Sequence, residues 1–256
     1  MDSALHQQRR RREFSSCLFR PGASINDKMM DDVRGILLDI EGTTTPIAFV
    51  HDVLFSYARE HVREFLLANT DKEDIDLLRV EHADDVSKDR NPPPLVADYV
   101  EWLIALDRKS TGLKSLQGKI WRQGYEAGTL KSQVFADVAP AFERWHARGL
   151  NISIFSSGSV LAQKLLFAHT EAGDLTRFID DYFDTNVGKK GEAGSYRRIA
   201  EMMKLPAAEI VFVSDVVEEL DAADEAGMKV LLSIRPGNAP QDNGKQYPEI
   251  FSFDQI

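Results

Sequence analysis

The chain is poor in cysteine: Cys17 is the only one in 256 residues. An internal disulfide framework is therefore excluded, and such sparing use fits a reducing, cytoplasmic setting. No run approaches the roughly 18 to 20 apolar residues that a membrane-spanning helix needs. The six histidines (His6, His51, His61, His82, His146 and His169) are scattered without metal-ligand spacing, which argues against zinc. There is no Gly-x-x-x-x-Gly-Lys-Ser/Thr, so P-loop enzymes are excluded, and no Gly-x-Ser-x-Gly of a serine hydrolase. Basic residues are also in short supply, 31 Lys and Arg against 41 Asp and Glu, for a net charge of −10. Residues 1–30 hold six basic and three acidic residues, so the remainder carries −13. A body that acidic does not bind nucleic acid or anionic membranes non-specifically. An anionic ligand would need a local device, such as a bound cation.

What is present is an ordinary globular composition, 43% hydrophobic and 28% charged, long enough for one core with a smaller subdomain. Residues 1–28 are polar and Arg-rich without periodicity. They read as a disordered basic leader, as an extension ahead of a start at Met29 or Met30, or as an organelle-targeting segment. Residues 34–38 read as a buried strand ending at Asp39. Helical spacing of apolar residues then marks 52–67, 95–107 and 113–127, separated by a polar break and the stiff connector Asn91-Pro92-Pro93-Pro94. Residues 46–130 are thus expected to be all-helical. Beyond Gln133 the texture alternates. Strands are expected at 150–155, 209–213 and 228–234, and helices from Pro140 to Gly149 and at 159–169, 195–204 and 217–226. Such alternation predicts an α/β fold, a doubly wound parallel sheet covered on both faces. The expected organisation is a core of 29–45 and 131–256 with a helical cap, 46–130, inserted after the first strand.

In such a sheet, ligands bind at the carboxyl ends of the strands. The residues just past them are Asp39-Ile40-Glu41-Gly42-Thr43-Thr44, Ser156-Ser157-Gly158-Ser159, and Ser214-Asp215 with Glu218 and Glu219 beyond. Gly188-Lys189-Lys190-Gly191 precedes a helix. Asp39 and Asp215 would bring two carboxylates to neighbouring strand ends, where a hard divalent cation keeps both ionised. Mg²⁺ prefers one or two carboxylates, waters and a substrate phosphate over a full protein cage. Ser157 offers a hydroxyl beside flexible Gly158 at a helix start, and a lysine adds a compact charge for phosphate. Together they describe phosphoryl transfer through an aspartyl-phosphate. Taken singly, each also reads as a strand end, a helix cap or a solvated loop.

These residues resemble the motifs of the haloacid-dehalogenase superfamily. Asp39-Ile40-Glu41-Gly42-Thr43 matches its first motif, Ser157 or Ser156 the second, Lys190 or Lys189 the third, and Asp215 with Glu218 or Glu219 the fourth. The departure is Glu41, where most phosphatases of the superfamily carry Asp. The longer stretch Leu38-Asp39-Ile40-Glu41-Gly42-Thr43-Thr44-Thr45-Pro46-Ile47 resembles the enolase-phosphatase family of methionine salvage. So do Ser156-Ser157-Gly158-Ser159-Val160, Gln163-Lys164-Leu165-Leu166-Phe167, Leu116-Gln117-Gly118, Phe135-Ala136-Asp137-Val138 and Arg235-Pro236-Gly237-Asn238-Ala239.

The resemblance implies one substrate, 2,3-diketo-5-methylthiopentyl-1-phosphate, and two steps: enolisation, then hydrolysis to the acireductone and phosphate. It implies one Mg²⁺ per subunit held by Asp39, Glu41 and Asp215. Asp39 and Glu41 would be catalytic, and Ser156, Ser157 and Lys190 would bind substrate. Lys190 is preferred to Lys189 because the family pattern is Gly-x-Lys and Gly188 sets the register. Trp121, Arg122 and Tyr125 on the third cap helix could contact the methylthio tail, core packing being the plainer role for Trp121. A monomer is the simplest expectation. The rival within the fold is a sugar-phosphate or nucleotide phosphatase without an enolase step. A phospho-acceptor signalling domain would need no insertion like 46–130.

Overall fold

A computed structural model of the protein describes residues 27–68, 72–106, 108 and 110–256. Of the expected leader, residues 1–26 lie outside the described residues. A short helix α1 (Asp27–Met30) leads into the first strand. Six strands form one sheet: β1 (Gly35–Leu38), β2 (Asn151–Phe155), β3 (Asp181–Phe183), β4 (Ile210–Ser214), β5 (Lys229–Ser233) and β6 (Glu249–Ile250). Their order is β3-β2-β1-β4-β5-β6, and every neighbouring pair is parallel.

Parallel neighbours require crossovers, and helices supply most of them: α6 (Val138–Ala147), α7 (Val160–Ala168), α8 (Ala193–Met203) and α9 (Val217–Glu225). Alternation along the strands splits their side chains between two faces. Ile36, Leu38, Ile152, Ile154, Val211 and Val213 pack with Phe142, Trp145 and Phe167 on one side. Leu37, Phe155, Phe212 and Leu232 pack with Tyr196, Ile199 and Leu220 on the other. The fold is the expected doubly wound α/β sheet. Because β1 is flanked by β2 and β4, the winding reverses there, and the crevice between the ends of β1 and β4 is where this topology seats ligands.

Between β1 and α6 the chain is helical: a π-helical turn (Phe49–Phe55) running into α2 (Ser56–Ala68), then α3 (Lys72–Ser87), α4 (Ala97–Ala105) and α5 (Thr111–Glu126). These elements bury their own cluster, including Phe49, Leu54, Val62, Tyr99, Leu103, Ile120 and Trp121, joined by Leu165 from α7.

The span expected to be a polar break is the helix α3, and the reason for the difference is visible in what that helix buries. Besides Leu78, its buried side chains are Asp74 and Asp85. Asp74 accepts from Ser115 Oγ and Lys119 Nζ, each at 2.7 Å. Asp85 accepts from Arg90 at 2.6 Å, Tyr99 Oη at 2.8 Å and Arg108 at 3.0 Å. A helix docked through ion pairs leaves no apolar stripe to read. The edge strands β3 and β6, three and two residues long, are likewise too short to show a pattern.

Candidate active site

Backbone pairing sets the distance between the key carboxylates. Leu38 is in register with Val213, and Asp39 N donates to Val213 O at 3.0 Å. Asp39 and Asp215 therefore leave adjacent strands within one residue of the same level, and both are buried, 5% and 8% exposed. The turn after Asp39 is tied down by hydrogen bonds from the amides of Thr43, Thr44 and Thr45 to Ile40 O, at 2.9–3.2 Å.

Lys190 fills the crevice. Its Nζ lies 2.5 Å from Asp39 Oδ1 and 2.6 Å from Glu219 Oε2. Ser214 Oγ also donates to Glu219 Oε2, at 2.9 Å. Tyr196 Oη donates to Lys190 O at 2.8 Å, fixing the loop that carries the lysine. Burial alone would lower the Lys190 pKa, but Asp39 and Glu219 overcome it and raise it, so the ammonium stays charged. Burial, Asp39 and Glu219 push the Asp215 carboxyl up to about 7. Glu219 is raised by burial and by Asp39, against Lys190. The crevice thus holds more buried carboxylate than its one lysine balances, a field that a divalent cation would relieve.

The remaining candidates lie to one side. Ser156 is buried and accepts a hydrogen bond from Gly158 N at 3.1 Å, curling the loop that starts α7. Gln163 braces that loop, donating to Gly158 O at 2.9 Å and Phe183 O at 2.8 Å. Ser156 and Ser157 line a pocket with Ile40, Glu41 and Gly158. The opposite wall comes from the helical segment: Leu54, Phe55, Leu113, Gln117 and Trp121. Glu41 is not drawn into the lysine crevice. Its carboxylate is 40% exposed, with His51 Nε2 3.9 Å away.

The expected residues therefore fall in two groups, Asp39, Lys190 and Asp215 in the crevice and Glu41, Ser156 and Ser157 along the pocket. Lys189 points outward to Glu192, 3.3 Å away, and Glu218 abuts Gly191, whereas Glu219 meets Lys190. Trp121 does two things: it lines the pocket, and its indole N–H donates to Leu54 O at 2.8 Å. Tyr125 is buried against Ser132, and Arg122 lines a separate groove. Gln163 and Gln117 lie inside stretches that carry the family resemblance, but nothing in their spacing marks them as pocket residues.

Among the described residues no group of three or more His, Cys, Asp or Glu side chains gathers as a metal cage. Two buried carboxylates beside an open pocket instead make the sparse donor set that suits Mg²⁺. A carboxylate at a strand end, a paired lysine and hydroxyl and amide donors are equipped for phosphoryl transfer.

Comparison with known proteins gives the same chemistry. Residues 33–227 match the family model for haloacid dehalogenase-like hydrolases. The chain is 52% identical over 233 residues to enolase-phosphatase E1 of Synechococcus elongatus, covering 88% of this chain and 98% of that one. It is 48% identical over 243 residues to an Arabidopsis thaliana protein named "Probable bifunctional methylthioribulose-1-phosphate dehydratase/enolase-phosphatase E1", covering 87% of this chain and 48% of that one. Among solved structures, the UTR4 protein of Saccharomyces cerevisiae superposes with a TM-score of 0.73 at 37% identity, over 88% of this chain and all of that one.

Gly42 connects local backbone to the crevice. Its φ is +71°, and a Cβ there would lie 2.6 Å from the Asp215 carboxyl carbon. Gly128 has the same φ, but a Cβ at that position would meet nothing within 4 Å. Both alanine variants meet the left-handed backbone penalty of about 1 kcal/mol. Gly42→Ala alone should also displace Asp215, lowering phosphomonoester hydrolysis by about 100-fold. Gly128→Ala should keep wild-type kcat/KM; equal kinetics for the two variants would contradict the crevice geometry.

Proposed function

The chain belongs to the enolase-phosphatase family of haloacid dehalogenase-like hydrolases, and we propose that it converts 2,3-diketo-5-methylthiopentyl-1-phosphate to 1,2-dihydroxy-3-keto-5-methylthiopentene and phosphate in methionine salvage. The observation that carries this reading is one pocket with two chemically different ends. Ser156, Ser157 and Gly158, beside the Asp39–Lys190 crevice, suit a phosphate, and Leu54, Phe55, Leu113 and Trp121 suit a methylthioalkyl tail.

In the hydrolytic step Asp39 attacks phosphorus and forms an aspartyl-phosphate. Lys190 and the hydroxyls of Ser156 and Ser157 hold the phosphoryl oxygens. Glu41, which picks up a proton from solvent after the enolisation, gives it to the departing oxygen, then takes one from the water that opens the aspartyl-phosphate and returns it to solvent. In the preceding enolisation the C1–H proton is carried to the C2 oxygen, and the Glu41 carboxylate on the pocket wall is the base within reach of that carbon. The glutamate side chain is longer than the aspartate more usual at this position, and it lies along the pocket rather than in the crevice, which supports its double use.

One Mg²⁺ per subunit would be held by the buried carboxylates of Asp39 and Asp215 together with residue 41. Bound there, it would neutralise phosphoryl charge and polarise a ketone oxygen. Residues 46–130 act as a cap that excludes water from the pocket during enolisation, supported by the wall they contribute. The single cysteine supports a reducing, cytoplasmic location.

Supplied with the diketone phosphate, the protein should release phosphate with concurrent enol and acireductone absorbance. Phosphate without either signal would favour the generic phosphatase. A chelator should stop turnover and added Mg²⁺ restore it; full turnover in chelator would contradict the cation site.

A further inference from the structure

The pocket wall contains a polar group that the mechanism above leaves unused. On α5, Leu113, Gln117 and Trp121 recur every four residues and all face the pocket, so Gln117 is set between two apolar side chains on one helical stripe. It is only 6% exposed, yet its amide makes no hydrogen bond to a described residue. Several other polar groups of the wall are engaged, although Gln163 Oε1 is a further atom without a partner. Arg108 is paired with Asp85 at 3.0 Å, Lys114 donates to Thr185 Oγ1 at 3.3 Å, and Ser159 accepts from Ala162 N at 3.3 Å. Gln163 donates to two carbonyls, and Glu41 lies near His51. An amide that opens onto a binding pocket without a protein partner is free to pair with the ligand.

Its position says which part of the ligand. A Cβ on Gly118, the next residue, would come within 3.9 Å of Ser159 Oγ, so this turn of α5 sits over the loop that starts α7. Gln117 thus lies between the phosphate end at Ser156–Gly158 and the apolar end at Phe55 and Trp121. In the substrate, the two ketones occupy the same intermediate place between phosphate and methylthio group.

We propose that Gln117 reads the diketone and favours its enol, an inference that rests on the enolase-phosphatase reading. The diketone presents two acceptors and no donor at this level. In the tautomerisation the C1–H bond breaks, its electron pair becomes the C1=C2 bond, and the C2 oxygen gains the proton. The product presents one acceptor and one O–H donor. A carboxamide answers both states without itself gaining or losing a proton: its N–H groups donate to a ketone or enolate oxygen, and its oxygen accepts from the enol. In Gln117 these are Nε2 and Oε1. An aliphatic residue there would leave the ketones unpaired in an apolar wall, and a ketone-free alkyl phosphate would leave Gln117 unpaired instead.

The test compares kcat/KM for the diketone phosphate with that for pentyl phosphate, which has the chain length without the ketones. Gln117→Leu should lower this ratio at least tenfold, and Gln117→Glu, which keeps the shape but removes the N–H donors, should lower it too. If the leucine variant does not fold, as judged by its thermal midpoint, the glutamate variant decides on the same ratio. An unchanged ratio would overturn the role of Gln117. Failure of the wild-type protein to form any enol from the diketone phosphate would overturn the functional reading, an outcome visible before any variant is made.

Discussion

Lys190, shared at 2.5 and 2.6 Å between Asp39 and Glu219, is the interaction on which the rest of the site depends. It joins three separate pieces of chain: the end of β1, the loop after β3 and the first turn of α9. Asp39 is buried and Glu219 largely so, and without them the Lys190 ammonium would be disfavoured there. The crevice is therefore assembled as a unit. Asp215, the further carboxylate that Lys190 does not fully balance, is the one whose pKa climbs to about 7. With the cation proposed above, such a crevice would accept a phosphate, which reconciles an acidic chain of net charge −10 with an anionic substrate.

The helical segment supplies what the sheet cannot. A strand-end crevice offers charges and amides but little apolar surface, whereas the π-helical turn and α5 bring Leu54, Phe55, Leu113 and Trp121 over it. Their own cluster is fastened by buried acids, Asp74 to Lys119 and Asp85 to Arg90, Arg108 and Tyr99. These contacts tie α3 to α4 through Tyr99 and to α5 through Lys119. Here that gives α5 a defined face toward the pocket, with Gln117 held in the middle of it.

Strand ends are legible in the sequence because a parallel sheet buries continuous apolar runs, so Asp39, Ser156 and Asp215 stand out as polar residues closing Gly35–Leu38, Asn151–Phe155 and Ile210–Ser214. What is not legible has a physical pattern. α3 buries acids rather than an apolar stripe, and β3 and β6 are too short for alternation. The choice between Glu218 and Glu219 turns on a rotation of one residue in α9, which only the packed helix defines. Gln117 and Gln163 escape for a related reason: an amide has no sequence signature of its own, and its meaning comes from which partners it finds or lacks.

The central claim is covalent phosphoryl transfer to Asp39 inside the lysine crevice. Quenching the enzyme during turnover of the diketone phosphate with borohydride reduces an aspartyl-phosphate to homoserine, and mass spectrometry of the digested chain locates it. Homoserine is expected at position 39 and nowhere else. Reduction at another residue, or an intact Asp39 throughout while phosphate is being released, would contradict that claim.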